Sequence, residues 1–250
     1  MKRKRVFVCY LALTVGACWS AQAQSGNFST LQNSQSSTLD AHVKAELASF
    51  KGKVSLFAKN LETGETYAFG GDDRVRTAST IKIAVMVEAF SRVAEGKAKW
   101  TDELVLTKAA RYGGSGVLPE LSDGLRLTLR DCVNLMMLVS DNTATNLVLD
   151  YLTTDAVNAR MDSLQLKQIR ILRRVGSGGE SKAGKEPDNK RFGLGVATPR
   201  EMVVLLEKLE RARSLAGHDV GMIEGRDERG PALVPQPACN LLAALDGGIG

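Results

Sequence analysis

The chain has 250 residues, a formal net charge of +5 at pH 7 and a hydrophobic content of 44%. Four of the positive charges lie in residues 2–5, so the rest of the chain is nearly neutral, which argues against a nucleic-acid partner. This length and this hydrophobic content exclude a wholly disordered chain and allow one or two domains with a substantial core.

The amino-terminal segment resembles an export signal. Its basic residues precede an apolar run over residues 6–18 and the small-residue cleavage site Ala21-Gln22-Ala23, which predicts a signal peptide over residues 1–23. The run is shorter than the roughly 20 apolar residues of a spanning helix, so we expect no transmembrane domain in the mature chain. We therefore expect an exported protein, periplasmic or secreted, and Cys18 leaves open a lipid anchor.

The next elements are a lead-in, a helix and a hairpin. Residues 24–38 are rich in Ser, Gln and Asn, which predicts disorder before a folded region that begins at residue 39. Helical spacing follows over residues 40–50. Alternation over residues 54–58, a turn, and a return strand over residues 66–69 predict an antiparallel hairpin.

Two apolar helices follow the hairpin. Residues 79–93 are apolar nearly all round, which predicts a central helix enclosed by protein. Residues 129–139 form a second apolar helix, in which we expect Cys132 to be a buried free thiol. Ser140-Asp141-Asn142 interrupts it with short polar side chains that suit a turn and a cap for a helix over residues 143–152.

A glycine-rich segment over residues 174–195 predicts a long loop. Thr198-Pro199-Arg200-Glu201 then predicts a capping box for a helix that ends near Leu209. The whole pattern predicts an α/β protein of the α+β type, with an antiparallel sheet flanked by helices and a mostly helical lobe. We assign residues 39–211 to this domain.

Ser79 and Lys82 have the spacing of a nucleophile and its base. A serine hydroxyl needs a base within hydrogen-bond reach, and Lys82 lies one helical turn from Ser79 on the same face. Burial would lower the pKa of the lysine toward the range of a proton acceptor. The N–H groups at the start of a helix can also stabilise an oxyanion.

Neither motif is specific alone. A Ser-x-x-Lys match arises about once by chance in a chain of this length, and Ser-Asp-Asn alone is an ordinary helix cap. Here the two serines, Ser79 and Ser140, are separated by 61 positions, and the first lies at the start of an unusually apolar helix. Together, in this order and with this spacing, the two motifs are a strong signal.

The two motifs in this order resemble the first two signatures of class A β-lactamases and their penicillin-binding relatives. The resemblance covers about residues 40–209. It implies that Ser79 forms the acyl-enzyme, that Lys82 helps to remove its proton and that Ser140 relays a proton to the β-lactam nitrogen. It also implies that Asn142 binds the acylamide side chain of the substrate and that Asp141 shapes the turn.

The chain departs from this family at the deacylating glutamate. The family has a Glu-x-x-Leu-Asn motif in the loop before the helix that starts after Thr198, and this chain has none there. Glu186 and Glu180 are the nearest candidates. For each of them, a solvated loop carboxylate is at least as good an interpretation as a catalytic base.

A second departure concerns the carboxyl-terminal end. The third family signature, Lys-Thr/Ser-Gly, is expected downstream, but the last lysine is Lys208. We find no alternating strand in residues 212–250, and we interpret this segment as an atypical tail, truncated or frame-shifted. We therefore expect residues 212–250 to be loosely attached and this form of the chain to have little β-lactamase activity.

Three other functions are alternatives to β-lactam hydrolysis. A metal enzyme is disfavoured, because the two histidines, His42 and His218, are far apart and have no clustered ligands. A penicillin-binding DD-peptidase shares the same two motifs, and a non-catalytic pseudoenzyme could keep the pocket without turnover. We expect a β-lactam as the small-molecule partner, no cofactor, no metal and a monomer.

Overall fold

The computed structural model describes residues 28–176 and 178–219. Contacts between residues divide the chain into a first unit that ends at Lys51 and a second that begins at Gly52. The predicted signal peptide, Cys18 and the chain beyond residue 219 lie outside the described residues. The predictions for those segments therefore stay predictions.

The first unit contains helix α1 (Phe28–Leu47). This helix begins inside the segment for which the sequence predicted a disordered lead-in, so the structure departs from that prediction over residues 28–38. The segment is polar but has no proline or glycine from Phe28 to Leu47. Nothing in it forbids helical backbone, because polar residues lower helix propensity only slightly.

The second unit begins with an antiparallel hairpin of strands β1 (Leu56–Lys59) and β2 (Thr66–Phe69). The side-chain oxygen of Asn60 accepts hydrogen bonds from the N–H groups of Glu62 and Thr63, at 2.9 and 3.2 Å. Such a bond from an Asn side chain to the backbone two residues on stabilises a turn. The predicted hairpin is confirmed.

The other described strands are short and form two further antiparallel sheets. Strands β4 (Glu103–Val105) and β5 (Arg126–Thr128) pair with each other. Strand β7 (Gly195–Ala197) lies between β3 (Val75–Arg76) and β6 (Arg170–Ile171). The sequence did not predict these strands, because alternation over two or three residues gives no visible pattern.

Helix α2 (Lys82–Ala94) lies at the centre of the core and packs against α3 (Leu129–Leu138), α4 (Asn142–Leu152) and α5 (Thr154–Ser163). Its apolar residues from Ala84 to Ala89 include several with no more than 1% exposure. The predicted central helix is confirmed. Cys132 is also a buried free thiol as predicted, and burial raises its pKa to about 12.

The predicted long loop contains short helical turns, namely α6 (Lys182–Lys185) and a 3-10 turn over Pro187–Phe192. Helix α7 (Pro199–Asp219) follows β7 and continues past its predicted end near Leu209. The extension is rich in Glu, Arg, Ala and Leu, which favour helix. It also crosses the predicted domain boundary at 211/212.

Only half of the predicted capping box at the start of α7 is present. The hydroxyl of Thr198 accepts a hydrogen bond from the N–H of Glu201, at 3.2 Å. The Glu201 carboxylate instead accepts from the N–H groups of Gln168 and Ile169, at 2.7 and 3.1 Å. This side chain therefore anchors α7 to the segment before β6.

The architecture is the predicted mixture of helices and antiparallel sheet. Among the described residues, no helix is both long and apolar enough to cross a membrane. The second unit places the start of α2 beside the junction of α3 and α4, where the two sequence motifs lie.

Candidate active site

Ser79 lies in a 3-10 turn, Ala78–Ile81, directly before α2. The sequence predicted that Ser79 itself opens the central helix, and the structure replaces that first turn with the tighter 3-10 form. Ser79 is exposed, and its N–H comes before the hydrogen bonds of the turn begin. Ala78 has a φ of 46°, a left-handed conformation that is uncommon for a residue with a side chain.

Lys82 is the first residue of α2 and is only 2% exposed. Its Nζ donates to three acceptors of the α3–α4 junction: the Ser140 carbonyl at 2.7 Å, Ser140 Oγ at 2.9 Å and Asn142 Oδ1 at 3.1 Å. Burial lowers the pKa of Lys82, and the negative charge of Asp141 opposes part of that shift. Loss of one proton would give this nitrogen a lone pair that can accept from a hydroxyl.

Ser140 connects the lysine to the nucleophile. Its Oγ donates to Ser79 Oγ at 3.1 Å, so Ser79 and Lys82 share one hydroxyl neighbour. Ser140 has a φ of 54°, which is left-handed backbone. In this conformation both the carbonyl oxygen and the hydroxyl of Ser140 contact Lys82.

Asp141 is fully buried and organises the backbone around the junction. Its carboxylate caps α4 through the N–H of Ala144 at 2.9 Å, as the sequence predicted for a helix cap. It also accepts from the N–H groups of Val117 and Leu118, at 2.7 and 2.9 Å. Gly116 permits this approach, because a Cβ there would lie 2.2 Å from the Asp141 carboxylate.

Asn142 faces both Lys82 and the 113–115 segment. Its Oδ1 accepts from Lys82, while its Nδ2 donates to the Gly113 carbonyl at 2.9 Å. Its N–H donates to the Ser115 carbonyl at 3.1 Å. An amide nitrogen has two protons, so one of them is still available to a substrate carbonyl.

The structure thus brings Ser79, Lys82, Ser140 and Asn142 together through contacts of 2.7 to 3.1 Å. This spacing is compatible with proton transfer between Lys82 and Ser140 and between Ser140 and Ser79. The arrangement can remove a proton from a hydroxyl, hold it on a buried amine and deliver it to a leaving group. The individual roles stay predictions.

The two glutamate candidates do not join this group. Glu180 and Glu186 are exposed, and the Glu186 carboxylate accepts from Asn189 Nδ2 at 3.0 Å. Asn189 is buried and accepts in turn from Arg74 at 2.6 Å. In the described part of the chain, no carboxylate makes a hydrogen bond to Ser79, Lys82 or Ser140.

Sequence reasoning missed two buried polar residues of α4. Thr143 and Asn146 follow the Ser-Asp-Asn motif, are 0% and 2% exposed, and bind the backbone of neighbouring loops. The available signal was their polarity in an otherwise apolar helix, because buried polar side chains need partners. Within the described ranges, no cluster of three His, Cys, Asp or Glu side chains is suited to a metal ion.

Comparisons with known proteins identify the family. A model of the beta-lactamase enzyme family matches residues 38–227, which is more than half of the 250-residue chain. The chain therefore belongs to the beta-lactamase enzyme family. The resemblance to β-lactamases and their penicillin-binding relatives is confirmed, and the match extends into the segment that we interpreted as an atypical tail. A search of curated protein sequences found no match.

Solved structures share this fold. A β-lactamase from Sphaerobacter thermophilus is 37% identical with a TM-score of 0.60, covering 71% of this chain and 63% of that one. The chromosome-encoded β-lactamase of Vibrio parahaemolyticus is 26% identical with a TM-score of 0.59, covering 68% and 62%. PBP-A is 23% identical with a TM-score of 0.60, covering 70% and 62%, and supports the fold alone. The chain spans less than two thirds of each of these structures.

Proposed function

We propose that this protein hydrolyses β-lactams through an acyl-enzyme on Ser79. The observation that carries the proposal is the hydrogen-bond chain from Lys82 Nζ through Ser140 Oγ to Ser79 Oγ, with links of 2.9 and 3.1 Å. A buried amine with a lowered pKa, joined to an exposed hydroxyl in this way, is the arrangement that serine activation requires.

The acylation step follows from these contacts. Neutral Lys82 takes the proton of Ser79, directly or through Ser140, while Ser79 Oγ forms a bond to the β-lactam carbonyl carbon. The carbon–nitrogen bond of the ring then breaks, and Ser140 passes a proton to the departing nitrogen and regains one from Lys82. The product is an ester on Ser79, which one water molecule hydrolyses to release the ring-opened acid and restore the serine.

The family supports this reaction. The Sphaerobacter thermophilus relative, a β-lactamase, is 37% identical, but the chain covers only 63% of that structure. The activity of the whole protein is therefore part of the proposal. Asn142 supports it as well, because its Oδ1 accepts from Lys82 and the second proton of its Nδ2 can bind the acylamide side chain of a substrate.

A second candidate function is a penicillin-binding peptidase, which forms the same ester but hydrolyses it slowly. It is favoured by one observation: among the described residues no carboxylate makes a hydrogen bond to Ser79, Lys82 or Ser140. A long-lived ester is plausible chemistry for such a site, since water also needs a base. A mutant of PBP-A, which shares the fold, forms an acyl-enzyme complex with penicillin G.

The proposed place of action is outside the cytoplasm, in the periplasm or in the secreted fraction. The basic residues, the apolar run and the cleavage pattern of residues 1–23 support it. Cell fractionation followed by determination of the mature amino terminus tests this proposal. A start near Gln24 is expected, a lipid-modified Cys18 would favour the anchored form, and an unprocessed cytoplasmic protein would contradict export.

The lifetime of the acyl-enzyme distinguishes the two candidate functions. The purified protein is mixed with a chromogenic cephalosporin and with penicillin G, and turnover and adduct mass are followed together. Turnover with an adduct that decays within seconds supports the hydrolase. An adduct that persists for hours without turnover supports the peptidase, and the absence of both turnover and adduct contradicts both.

A further inference from the structure

The 3-10 turn that carries Ser79 is bonded to strand β7. The N–H of Thr77, the residue before the turn, donates to the Gly195 carbonyl at 3.1 Å. The Thr77 carbonyl accepts from the N–H of Thr80 at 3.1 Å and from its Oγ1 at 2.7 Å. Ser79 therefore lies between two residues that are bonded to each other, one of which is also bonded to β7.

Position 195 has no room for a side chain. A Cβ built on Gly195 would lie 2.7 Å from Thr77 Oγ1 and 2.9 Å from Ile81 Cγ1. Thr77 precedes Ser79 and Ile81 follows it, so a methyl group at position 195 would press on the turn from both sides of Ser79. The Arg170 carbonyl oxygen, 3.0 Å from the same point, leaves the methyl group no free direction on the side of β6.

This glycine lies where a strand ordinarily has a side chain. Strand β7 is the central strand between β3 and β6, and all three of its residues are buried. A glycine inside a strand weakens the sheet and often marks the close approach of another part of the chain. At Gly195 that part is the turn of Ser79.

The base and the nucleophile are held from different directions. Lys82 Nζ is bonded to Ser140 and Asn142 at the α3–α4 junction, whereas the Ser79 turn is bonded to β7. Pressure from position 195 would therefore move Ser79 relative to the base. The bond between Ser79 Oγ and Ser140 Oγ is 3.1 Å, already at the long limit for two hydroxyl groups, so a small displacement would break it.

We infer that Gly195 is a positioning residue: because it has no side chain, β7 holds the turn where Ser79 Oγ meets Ser140 Oγ, and this contact sets the reactivity of Ser79. The inference rests on the proposed function and extends it to a residue of the sheet that does not touch the reacting atoms. A misplacement of about 1 Å in a reacting group can cost on the order of 10²-fold in rate. Binding of the intact substrate does not use this contact, so its affinity should change less than the rate.

The test measures acylation by penicillin G after rapid mixing at several concentrations, which separates the binding constant from the acylation rate constant. Gly195→Ala should lower the rate constant by roughly 10- to 10²-fold and change the binding constant much less. Partial unfolding alone would lower the amount of adduct but not the rate constant of the folded molecules.

A fluorophosphonate gives a second readout that needs no β-lactam site. Ser79 Oγ bonds to its phosphorus, fluoride leaves, and the serine proton passes to the base as in acylation. The rate of this labelling should fall in Gly195→Ala along with the rate of acylation by penicillin G.

Thr77→Ala tests whether the added methyl group acts through the turn. It removes Thr77 Oγ1, the atom nearest to that methyl group, and this buried hydroxyl has no hydrogen-bond partner among the described residues. With Thr77→Ala as the reference, the same substitution should raise the rate constant of Gly195→Ala. If Gly195→Ala does not fold, the double variant should still react more slowly than Thr77→Ala, because its methyl group would remain 2.9 Å from Ile81 Cγ1.

Gly71→Ala is the matched control. Gly71 is also buried, and its Cβ would lie 3.2 Å from Ala68 Cβ and 3.3 Å from a ring carbon of Phe57, both in the hairpin. This variant should lose stability and keep the acylation rate constant of the wild type. Thermal unfolding of every variant records the loss of stability separately from the rate.

Three results would overturn the inference: an unchanged rate constant in folded Gly195→Ala, an equal loss in Gly71→Ala, or a double variant no faster than Gly195→Ala. Failure of the proposed function looks different. Fluorophosphonate labelling that depends on Gly195, without any penicillin adduct, would contradict β-lactam hydrolysis and support the positioning role. A wild-type protein that reacts with neither reagent would contradict both.

Discussion

The two sides of the candidate site differ in how firmly their chemical groups are fixed. On the helical side, Lys82 and Ser140 are held by hydrogen bonds that start from α2 and the α3–α4 junction. On the loop side, Glu180 and Glu186 are exposed, and Glu186 is bound only to Asn189 of its own loop. Under the proposed function, the helical side supplies the groups for formation of the acyl-enzyme, while no carboxylate among the described residues is assigned as the base for its hydrolysis.

The largest expected effect comes from the nucleophile of the helical side. Ser79→Ala should abolish any β-lactam turnover of the chain, because it removes the acyl-accepting oxygen; in a fully active serine hydrolase this loss is on the order of 10⁶-fold. It should also abolish the covalent adduct seen by intact-mass measurement. Ser163→Ala, an exposed serine at the end of α5, is the control and should keep both. Turnover in the Ser79→Ala protein would show that the acyl-accepting group lies elsewhere.

The next effect concerns the base. Lys82→Ala should slow acylation by at least about 10²-fold, a typical contribution of a general base. In the wild-type protein the acylation rate should rise with pH as Lys82 loses its proton. Because burial lowers the pKa of Lys82, the midpoint should lie below 10.5, the ordinary value for lysine. A rate that does not change with pH, measured by rapid mixing, would argue against Lys82 as the base.

The lowered pKa also affects stability. The unfolded chain keeps its Lys82 proton up to about its ordinary pKa of 10.5, whereas the folded chain releases it earlier. Between the two pKa values the unfolded state binds more protons, so the contribution of Lys82 to the free energy of unfolding should rise with pH. Denaturant unfolding of the wild type and Lys82→Met across this window measures the difference. If the free energy of unfolding changed with pH in the same way in both proteins, folding would not lower the pKa of Lys82.

A smaller effect is expected from the buried cap of α4. Asp141→Asn replaces one acceptor oxygen by a donor, so the N–H groups of Val117 and Leu118, or that of Ala144, lose their partner. The free energy of unfolding should fall by about 1–3 kcal/mol, the cost of a buried unsatisfied group. Asp150→Asn on the same helix is the control, because its side chain is 45% exposed, and its effect should stay within about 1 kcal/mol. If thermal unfolding showed the same loss of stability in Asp141→Asn and Asp150→Asn, the role of Asp141 as a buried acceptor would be contradicted.

The smallest effect on acylation is expected on the loop side. Glu180→Gln and Glu186→Gln should leave the acylation rate within about twofold of wild type, since a solvated charge changes little when it is removed. The lifetime of the adduct then shows whether a loop glutamate takes part in hydrolysis of the ester. A lifetime about 10²-fold longer in Glu186→Gln would assign the missing base to the loop. If either substitution lowered the acylation rate tenfold, the loop side would also contribute to acylation, and the difference between the two sides would not hold.

The sequence predicted the parts of this protein that depend on strong local patterns. Residues 79–93 are apolar nearly all round, so their burial as a central helix could be predicted, and the short polar side chains of Ser140-Asp141-Asn142 predicted the junction. The proximity of Ser79 and Ser140 could be inferred only by resemblance, because 61 residues separate them and spacing along the chain does not fix a distance in space.

Other features depended on tertiary contacts. The strands β3, β6 and β7 have two or three residues each, and only pairing with distant segments defines them. Glu201 looked like the partner of Thr198 in a capping box, but two free N–H groups at 168–169 compete for its carboxylate. The contact of Gly195 with the Ser79 turn joins two distant segments of the chain, so the pattern of residues could not predict it.

The most direct test of the account is to identify the residue that carries the adduct. The purified protein is incubated with penicillin G, quenched in acid, digested and analysed by peptide mass spectrometry. We predict one modified peptide, with the added mass of intact penicillin on Ser79, and slower labelling of the same residue in Lys82→Ala. A modification on any other side chain, or none while the wild-type protein is folded, would contradict the central role of Ser79 and its hydrogen-bonded neighbours.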